Sequence, residues 1–207
     1  MRFLRLVFLA LPLWGSPLKI ASDLGNQQGF LDILQQAFKQ DTKQEIQWVG
    51  IPKNLCTADA LLVSRSVWLS LKLEGTPILQ ERLILLGNPN TWAKLQAKTP
   101  LALLKALQEP AISTHLKVML NTLKTYRPDD LILMSQRLYL QQKTRANLPP
   151  ILHQPLRMRY FWINPCHSDK GASFGKWLLS PQARPSIEGF RIDYQPIFTL
   201  IKHKHGH

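Results

Sequence analysis

A polar loop near the amino end carries the side chains best suited to hold a small anion. Residues 22–29 read SDLGNQQG and precede a helical pattern that begins near Gly29 or Phe30. Serine and asparagine side chains donate hydrogen bonds, glycine lets the backbone approach a ligand, and the first amides of a helix attract negative charge. The loop therefore predicts a ligand site formed by Ser22, Asp23, Gly25, Asn26 and Gln27. The alternative is an ordinary polar turn that caps a helix.

One basic side chain from the middle of the chain could close this site. Arg137 follows an apolar run at residues 131–135 that is typical of a strand. We expect its guanidinium to approach the ligand from the second half of the molecule. The alternative is a solvated arginine, because most arginines lie at protein surfaces.

The remaining reactive side chains indicate neither catalysis nor a metal site. Cys166 and His167 are adjacent in the chain, which rarely gives nucleophile and base the geometry they need. The tail histidines at 203, 205 and 207 have no carboxylate or thiolate beside them to complete a metal site. The sequence contains no Gly-x-Ser-x-Gly elbow, phosphate-binding glycine loop, paired zinc-ligand motif or dinucleotide fingerprint. We therefore expect no enzymatic activity, no metal and no cofactor.

The charge balance restricts the partners without choosing one. Lysine and arginine number 26 against 13 acidic residues, which gives a formal net charge of +13. Such a charge fits a nucleic-acid binder, a protein that meets anionic lipid, or a carrier of small anions. Because the basic residues are scattered rather than collected in an arm, we expect no nucleic-acid partner.

The first sixteen residues predict export. A basic lead, Met1 to Arg5, is followed by an apolar run from Leu6 to Trp14 that is too short to span a bilayer, and then by Gly15 and Ser16. This order is typical of a secretory signal cleaved near Gly15 and Ser16, and it places the mature protein in the periplasm. No cysteine follows the apolar run, so we expect no lipid anchor. A buried first strand or helix is the alternative.

The sequence does not show whether its two cysteines form a disulfide. Cys56 and Cys166 could form a disulfide in an oxidising compartment, and the bond would close a long loop. The alternative is two free thiols, because the sequence does not give the distance between their Cβ atoms.

The chain alternates strands and helices, which predicts an α/β fold with mainly parallel sheets. The apolar run ADALLVS at residues 58–64 predicts a strand covered on both faces. Further strands are expected at residues 18–22, 45–51, 81–87, 131–135 and 159–163. The Ala/Leu/Lys/Gln-rich segment from Thr91 to Tyr126 predicts helices. Two apolar strands end in Asn88-Pro89 and Asn164-Pro165, which we interpret as paired crossings between two lobes.

In this order the motifs resemble the type II periplasmic solute-binding proteins of ABC transporters, most closely those that bind tungstate, molybdate or phosphate. The residues that carry the resemblance are Lys19-Ile20-Ala21-Ser22, Asp59-Ala60-Leu61-Leu62-Val63, Glu74-Gly75, Leu83 to Gly87, Asn164-Pro165, and Phe174-x-x-Trp177-Leu178-x-Ser180-Pro181-Gln182 with Ile187 and Phe190. The resemblance implies two α/β lobes joined by two crossing strands, with a ligand between them. It spans nearly the whole mature chain.

The chain departs from that family at its expected site. Tungstate-type relatives carry threonines and a serine where this chain has Ala21-Ser22-Asp23, and an inward-pointing Asp23 would repel an anion. The second lobe is shortened and lacks the family's serine and arginine motif. The resemblance therefore supports the fold more than the ligand.

These inferences combine into a two-lobe molecule. We expect a signal peptide at 1–16, a first lobe at 17–86 and 164–207, and a reduced, helix-rich second lobe at 87–163. We predict a monomer that captures a small anionic ligand between its lobes and delivers it to an ABC permease. The alternative is a ligand-free, repurposed fold that docks another envelope protein.

Overall fold

The computed structural model describes residues 16–25, 29–87, 116–119, 130–142 and 156–201. Strands β1 to β10 are Leu18–Ser22, Ile46–Val49, Ala60–Ser64, Thr76–Leu86, Leu116–Met119, Leu131–Ser135, Arg157–Ile163, Arg191–Ile192, Gln195–Pro196 and Phe198–Leu200. Helices α1 to α5 are Phe30–Thr42, Arg65–Leu71, Gln136–Gln142, Asp169–Leu178 and Arg184–Glu188, and a 3-10 helix covers Leu55–Thr57. No helix in these ranges is long and apolar enough to cross a membrane.

One eight-stranded sheet organises the molecule, in the order β2-β1-β3-β7-β4-β6-β5, with β10 also paired to β4. The ladders of β1 with β2 and β3, and of β5 with β6, are parallel, whereas β7 and β4 run antiparallel to their neighbours in the middle. Strand β3, which is apolar except for its last residue Ser64, is buried along its whole length, as its sequence predicts. The predicted α/β fold is confirmed.

Strand β4 joins two parts of the sheet. Its residues 76–82 pair with β7, while its residues 83–86 pair with β6. The backbone N–H of Leu83 donates to the carbonyl of Leu156 at 2.7 Å, just before β7 begins. The chain therefore leaves the first part of the sheet and returns to it at one place.

The crossings expected at the two Asn-Pro pairs stay a prediction. Asn164 lies at the far end of β7, where its carboxamide exchanges hydrogen bonds with the backbone of Ser168 before α4. Asn88-Pro89 lies outside the described residues. Strand β7, placed by the sequence in the second lobe, pairs with β3 and β4. The division into lobes stays a prediction.

The helix prediction in the middle of the chain is wrong at residues 116–119, which form β5. Its parallel pairing with β6 supplies backbone hydrogen bonds between chain segments. A short apolar run is compatible with either a helix or a strand, so tertiary pairing decides. The rest of the segment from Thr91 to Tyr126 lies outside the described residues.

Helices α1, α4 and α5 cover one face of the sheet and form the larger core. Its aromatic centre includes Phe30 stacked on Phe198 at 4.1 Å, and Phe38 packed edge-on against Phe174 and Trp177. The apolar residues in and just after the last two helices that carry the resemblance are all buried: Phe174, Trp177, Leu178, Ile187 and Phe190. On the other face, α2 stacks Trp68 on Phe161 of β7 at 4.1 Å and an interplanar angle of 6°.

Cys56 and Cys166 form a disulfide, which resolves the question that the sequence left open. Their Cα atoms are 5.5 Å apart and the residues are separated by 110 positions. The bond ties the 3-10 helix before β3 to the turn after β7. It constrains the unfolded chain strongly, because loop-closure entropy grows with the length of the loop.

Candidate functional site

The carboxyl ends of β1 and β3 lie side by side, and Ser22 at the end of β1 bonds to the neighbouring strand. Ser22 and Leu62 are Cα partners in the parallel ladder. The Ser22 hydroxyl donates to the Leu62 carbonyl at 2.7 Å and accepts from the Leu24 N–H at 3.1 Å. Its proton is therefore committed to the protein, and a solute at Ser22 would have to compete for it.

Asp23 bonds to the start of α2. Its carboxylate accepts the backbone N–H of Ser64 at 2.8 Å and also accepts the Ser64 hydroxyl. The Ser64 hydroxyl lies 2.9 Å from that of Ser66. The sequence predicted that an inward-pointing Asp23 would repel an anion. In the structure the Asp23 carboxylate accepts the hydrogen bonds that an anion at Ser64 would need.

The glycines predicted to let a ligand approach have left-handed backbones. Gly25 has φ +63° and a Cβ built on it meets no atom within 4 Å, so the space beside it is open. Gly29 has φ +74° and precedes the first residue of α1. Asn26 and Gln27 lie outside the described residues. The open space at Gly25 lies three residues after Ser22, within the predicted loop.

The predicted arginine is buried in a network of charged and polar groups. Arg137 is 1% exposed and lies next to Glu81 of β4, which is equally buried. The backbone N–H of Arg137 donates to Glu81 Oε1 at 2.8 Å, and its Nε lies 3.9 Å from the same oxygen. Tyr160 of β7 donates its hydroxyl to Glu81 Oε2 at 2.8 Å. Arg137 is thus engaged by a protein carboxylate instead of facing solvent.

Burial shifts the protonation equilibria of this network. Removal from water raises the pKa of Glu81, and the opposing effect of the Arg137 charge is smaller. Burial, and then the neighbouring carboxylate of Glu81, raise the pKa of Tyr160 well above its ordinary value. The charge of Asp23 raises the pKa of Tyr160 further. Because Ser64 and Tyr160 are also Cα partners, the Asp23 pair and the Glu81 network belong to one polar cluster.

Gln136 adds an unsatisfied acceptor to this region. It is 4% exposed, and its Nε2 donates to Oε1 of Gln195 at 3.0 Å. Its own Oε1 is buried without a hydrogen-bond partner in the structure. Buried polar atoms nearly always have a partner, so this oxygen needs an explanation.

The sequence analysis named Ser22, Asp23, Gly25 and Arg137 but missed their partners. Ser64 ends an otherwise apolar strand, and Glu81 and Arg82 begin the run ERLILLG, which is apolar after them. Ser64 could have been predicted as a site residue, because it is a polar residue at the end of a strand predicted to be buried. No pattern in the sequence indicates that Tyr160 or Gln136 is bonded as it is, because each bond joins residues distant in the chain.

A separate cavity of about 560 Å³ opens at the opposite end of β4 and β7. It is lined by Trp68, Glu74, Gly75, Thr76, Trp162, Asn164 and His167. None of the predicted ligand-binding residues lines it. Within the described residues, no group of three or more His, Cys, Asp or Glu side chains could hold a metal ion.

Comparison with known proteins identifies the fold. No family model and no curated protein sequence matches the chain. The tungstate binding protein TupA from Desulfovibrio alaskensis G20 is similar in structure, with a TM-score of 0.64 and 15% identity over 91% of this chain and 100% of that one.

Two further structures share the architecture. The LysR substrate binding domain of a putative periplasmic protein from Wolinella succinogenes has a TM-score of 0.52 and 16% identity over 85% of this chain and 100% of that one. A periplasmic substrate-binding protein of an ABC transporter from Coxiella burnetii has a TM-score of 0.50 and 9% identity over 89% of this chain and 100% of that one. At these identities the similarities show the fold alone. The chain has a type II periplasmic-binding-protein-like fold.

Proposed function

We propose that the chain is a solute-binding protein that holds a small solute where the ends of β1 and β3 meet the start of α3. One observation carries the proposal: the buried Oε1 of Gln136 has no hydrogen-bond donor in the structure. A donor on a bound solute would satisfy it. The open space beside Gly25 gives a solute room at the opposite loop.

The finer parts of the proposal follow from charge and from the fold. A net charge of +13 favours an anionic solute, and one that also carries a hydroxyl or amine would supply the donor for Gln136. The proposed ligand-binding residues remain Ser22, Asp23, Gly25, Asn26, Gln27 and Arg137, joined now by Gln136. Arg137 would contribute through the field of its charge, because its side chain is buried.

We place this function in the periplasm, with delivery of the solute to an ABC-type permease. The disulfide between Cys56 and Cys166 supports an oxidising compartment. The similarity to a putative periplasmic protein and to a periplasmic substrate-binding protein supports the same placement. The proposed export signal at 1–16 lies almost entirely outside the described residues.

A second candidate function is a repurposed fold that binds another envelope protein. It is favoured by the engagement of the predicted anion donors with protein acceptors. Ser22 donates to Leu62, Ser64 donates to Asp23, and the Arg137 N–H donates to Glu81. Because these donors already have acceptors in the protein, they need no solute to complete their hydrogen bonds.

Isothermal titration calorimetry separates the two candidates. Purified protein is titrated with a panel that contains tetrahedral oxyanions, hydroxy acids and amino acids. The solute-binding proposal expects saturable, one-to-one binding of at least one member. Substitution Gln136→Met keeps the side-chain volume but removes the acceptor. This substitution should lower the affinity for that solute by about tenfold, which corresponds to the loss of one hydrogen bond.

Gln36→Met is the matched control, since Gln36 is exposed on α1, outside the proposed site. It should leave the affinity unchanged. Binding lost equally in both variants would indicate a general effect of the substitution and would contradict the assigned site. If no member of the panel binds, the solute-binding proposal fails and the protein-interaction candidate takes its place.

A further inference from the structure

An exposed face of the sheet carries a row of arginines. Arg82 of β4 and Arg157 of β7 are Cα partners in an antiparallel ladder, so their side chains project from the same face. Arg159 lies two residues along β7 and points the same way. All three are exposed. Their spacing along and across the strands is about 5 to 7 Å.

A helix borders this row and adds a fourth arginine. The alternation along β7 continues from Arg159 to Phe161, on which α2 stacks its Trp68. The helix therefore covers one end of this face and leaves the arginine row open. Arg65, the first residue of this helix, is also exposed. We call Arg65, Arg82, Arg157 and Arg159 the arginine face.

The arginine face is electrostatically unfavourable in the isolated chain. Like charges directly opposite each other on neighbouring strands destabilise a sheet. The ion pairs found among the described residues join Lys39 to Glu45, Arg137 to Glu81 and Arg184 to Glu188, so none of them neutralises the face. The nearest carboxylate in sequence, that of Glu81, is buried on the opposite side of the sheet with Tyr160. An external anion would remove the repulsion.

The composition of the face favours a flat anionic surface over a partner protein. Specific protein interfaces have an apolar centre that is depleted of charge, with polar residues at the rim. Here the charges occupy the open strands. Among the described residues the exposed large hydrophobic side chains are Ile33, Leu69, Leu179 and Tyr194, and of these only Leu69 belongs to an element on this side. Guanidinium groups also bind phosphate oxygens in pairs, which a phospholipid headgroup provides.

We propose that the arginine face docks the protein on an anionic phospholipid surface. This inference goes beyond solute binding, because it needs none of the residues of the polar cluster. Attachment to the membrane would confine the protein's search for a membrane partner to two dimensions. Each basic residue near an anionic surface adds to the attraction, and salt screens it.

Vesicle co-sedimentation tests the proposal with the full mature chain. Vesicles of phosphatidylcholine with phosphatidylglycerol are compared with vesicles of phosphatidylcholine alone. We expect binding to the anionic vesicles only, weakened by added salt. The triple variant Arg82→Gln, Arg157→Gln, Arg159→Gln should bind about 100-fold more weakly, at about fivefold for each charge near the surface.

The matched control removes the same net charge elsewhere. Lys19→Gln, Lys53→Gln and Lys176→Gln alter three exposed lysines outside the arginine face. This variant should lose less than about tenfold, through net charge alone. The arginine variant should also have a melting temperature at or above that of the wild type, because the repulsion between Arg82 and Arg157 is gone.

Three results would overturn the proposal. One is absence of binding to anionic vesicles at low salt. Another is an equal loss of binding in the arginine and lysine variants. The third is tighter binding to a competing polyanion in the same buffer, either duplex DNA or an acidic peptide, which would assign the face to that class of partner.

Discussion

Replacement of Glu81 tests whether the buried network of Glu81, Arg137 and Tyr160 stabilises the fold. Glu81 accepts hydrogen bonds from the Arg137 N–H and the Tyr160 hydroxyl, each at 2.8 Å, and lies 3.9 Å from Arg137 Nε. In Glu81→Gln the amide oxygen can accept one of these donors, but the amide NH₂ then faces the other. The Arg137 charge is left buried without its carboxylate.

The expected cost follows from these contacts. Hydrogen bonds to a charged group contribute about 1.5 to 3 kcal/mol each, and removal of one partner of a buried ion pair costs about 3 to 5 kcal/mol. We therefore expect Glu81→Gln to lower the free energy of unfolding by about 3 to 5 kcal/mol. For a chain of this length that corresponds to a fall in melting temperature of roughly 6 to 20 °C.

Urea unfolding followed by circular dichroism measures the change. The control is Glu188→Gln, which breaks an exposed ion pair with Arg184 at 3.7 Å. That substitution should change stability by less than about 1 kcal/mol. The double variant Glu81→Leu, Arg137→Met should be more stable than Glu81→Gln, because no uncompensated charge remains. A loss below about 1 kcal/mol in Glu81→Gln, or a double variant less stable than the single one, would refute the reasoning.

Three further predictions follow from the same structure. Tyr160 keeps its proton in the folded state because its pKa is raised, so its contribution to stability is present below pH 10.0 and is lost as the pH rises beyond it. Tyr160→Phe should flatten the decline of stability in alkaline urea titrations, and an unchanged slope would contradict this. Replacement of both Cys56 and Cys166 by serine should cost about 5 kcal/mol for a loop of 110 residues, measured against the wild type under oxidising conditions. Equal stability of the two proteins would show that the loop is already restrained when reduced. Ser64→Ala removes one donor to Asp23 and should cost about 1 to 3 kcal/mol. Ser70→Ala, on the exposed side of α2, should cost less than about 0.5 kcal/mol, and equal losses in the two serine variants would count against the role of Asp23.

The sequence predicted elements well where the pattern of apolar residues decides the structure. Strand β3 is apolar except for Ser64 and was predicted to be buried, and Phe174, Trp177 and Ile187, which carry the family resemblance, are buried in α4 and α5. The start of α1 after Gly29 was also predicted. Local patterning and a turn residue are sufficient for these elements.

Prediction failed where a partner distant in sequence decides the outcome. Residues 116–119 form a strand because β6 pairs with them, 15 positions later in the register. The role of Asp23 depends on Ser64, which lies 41 residues away, and the environment of Arg137 depends on Glu81, 56 residues away. Sequence analysis named Asp23 and Arg137 as site residues, but it could not show that they bond to Ser64 and Glu81.

The hydrogen bond between Leu83 and Leu156 has a consequence for protein engineering. Because the backbone meets itself there at 2.7 Å, Leu83 and Leu156 are close in space although they are distant in the chain. A short turn could join them in place of the intervening residues, provided that Glu81, which would lose Arg137, is replaced by an apolar residue. A minimal chain made in this way would retain the ladders of β1, β2, β3 and β7 and the disulfide. It would offer a scaffold into which other inserts could be placed.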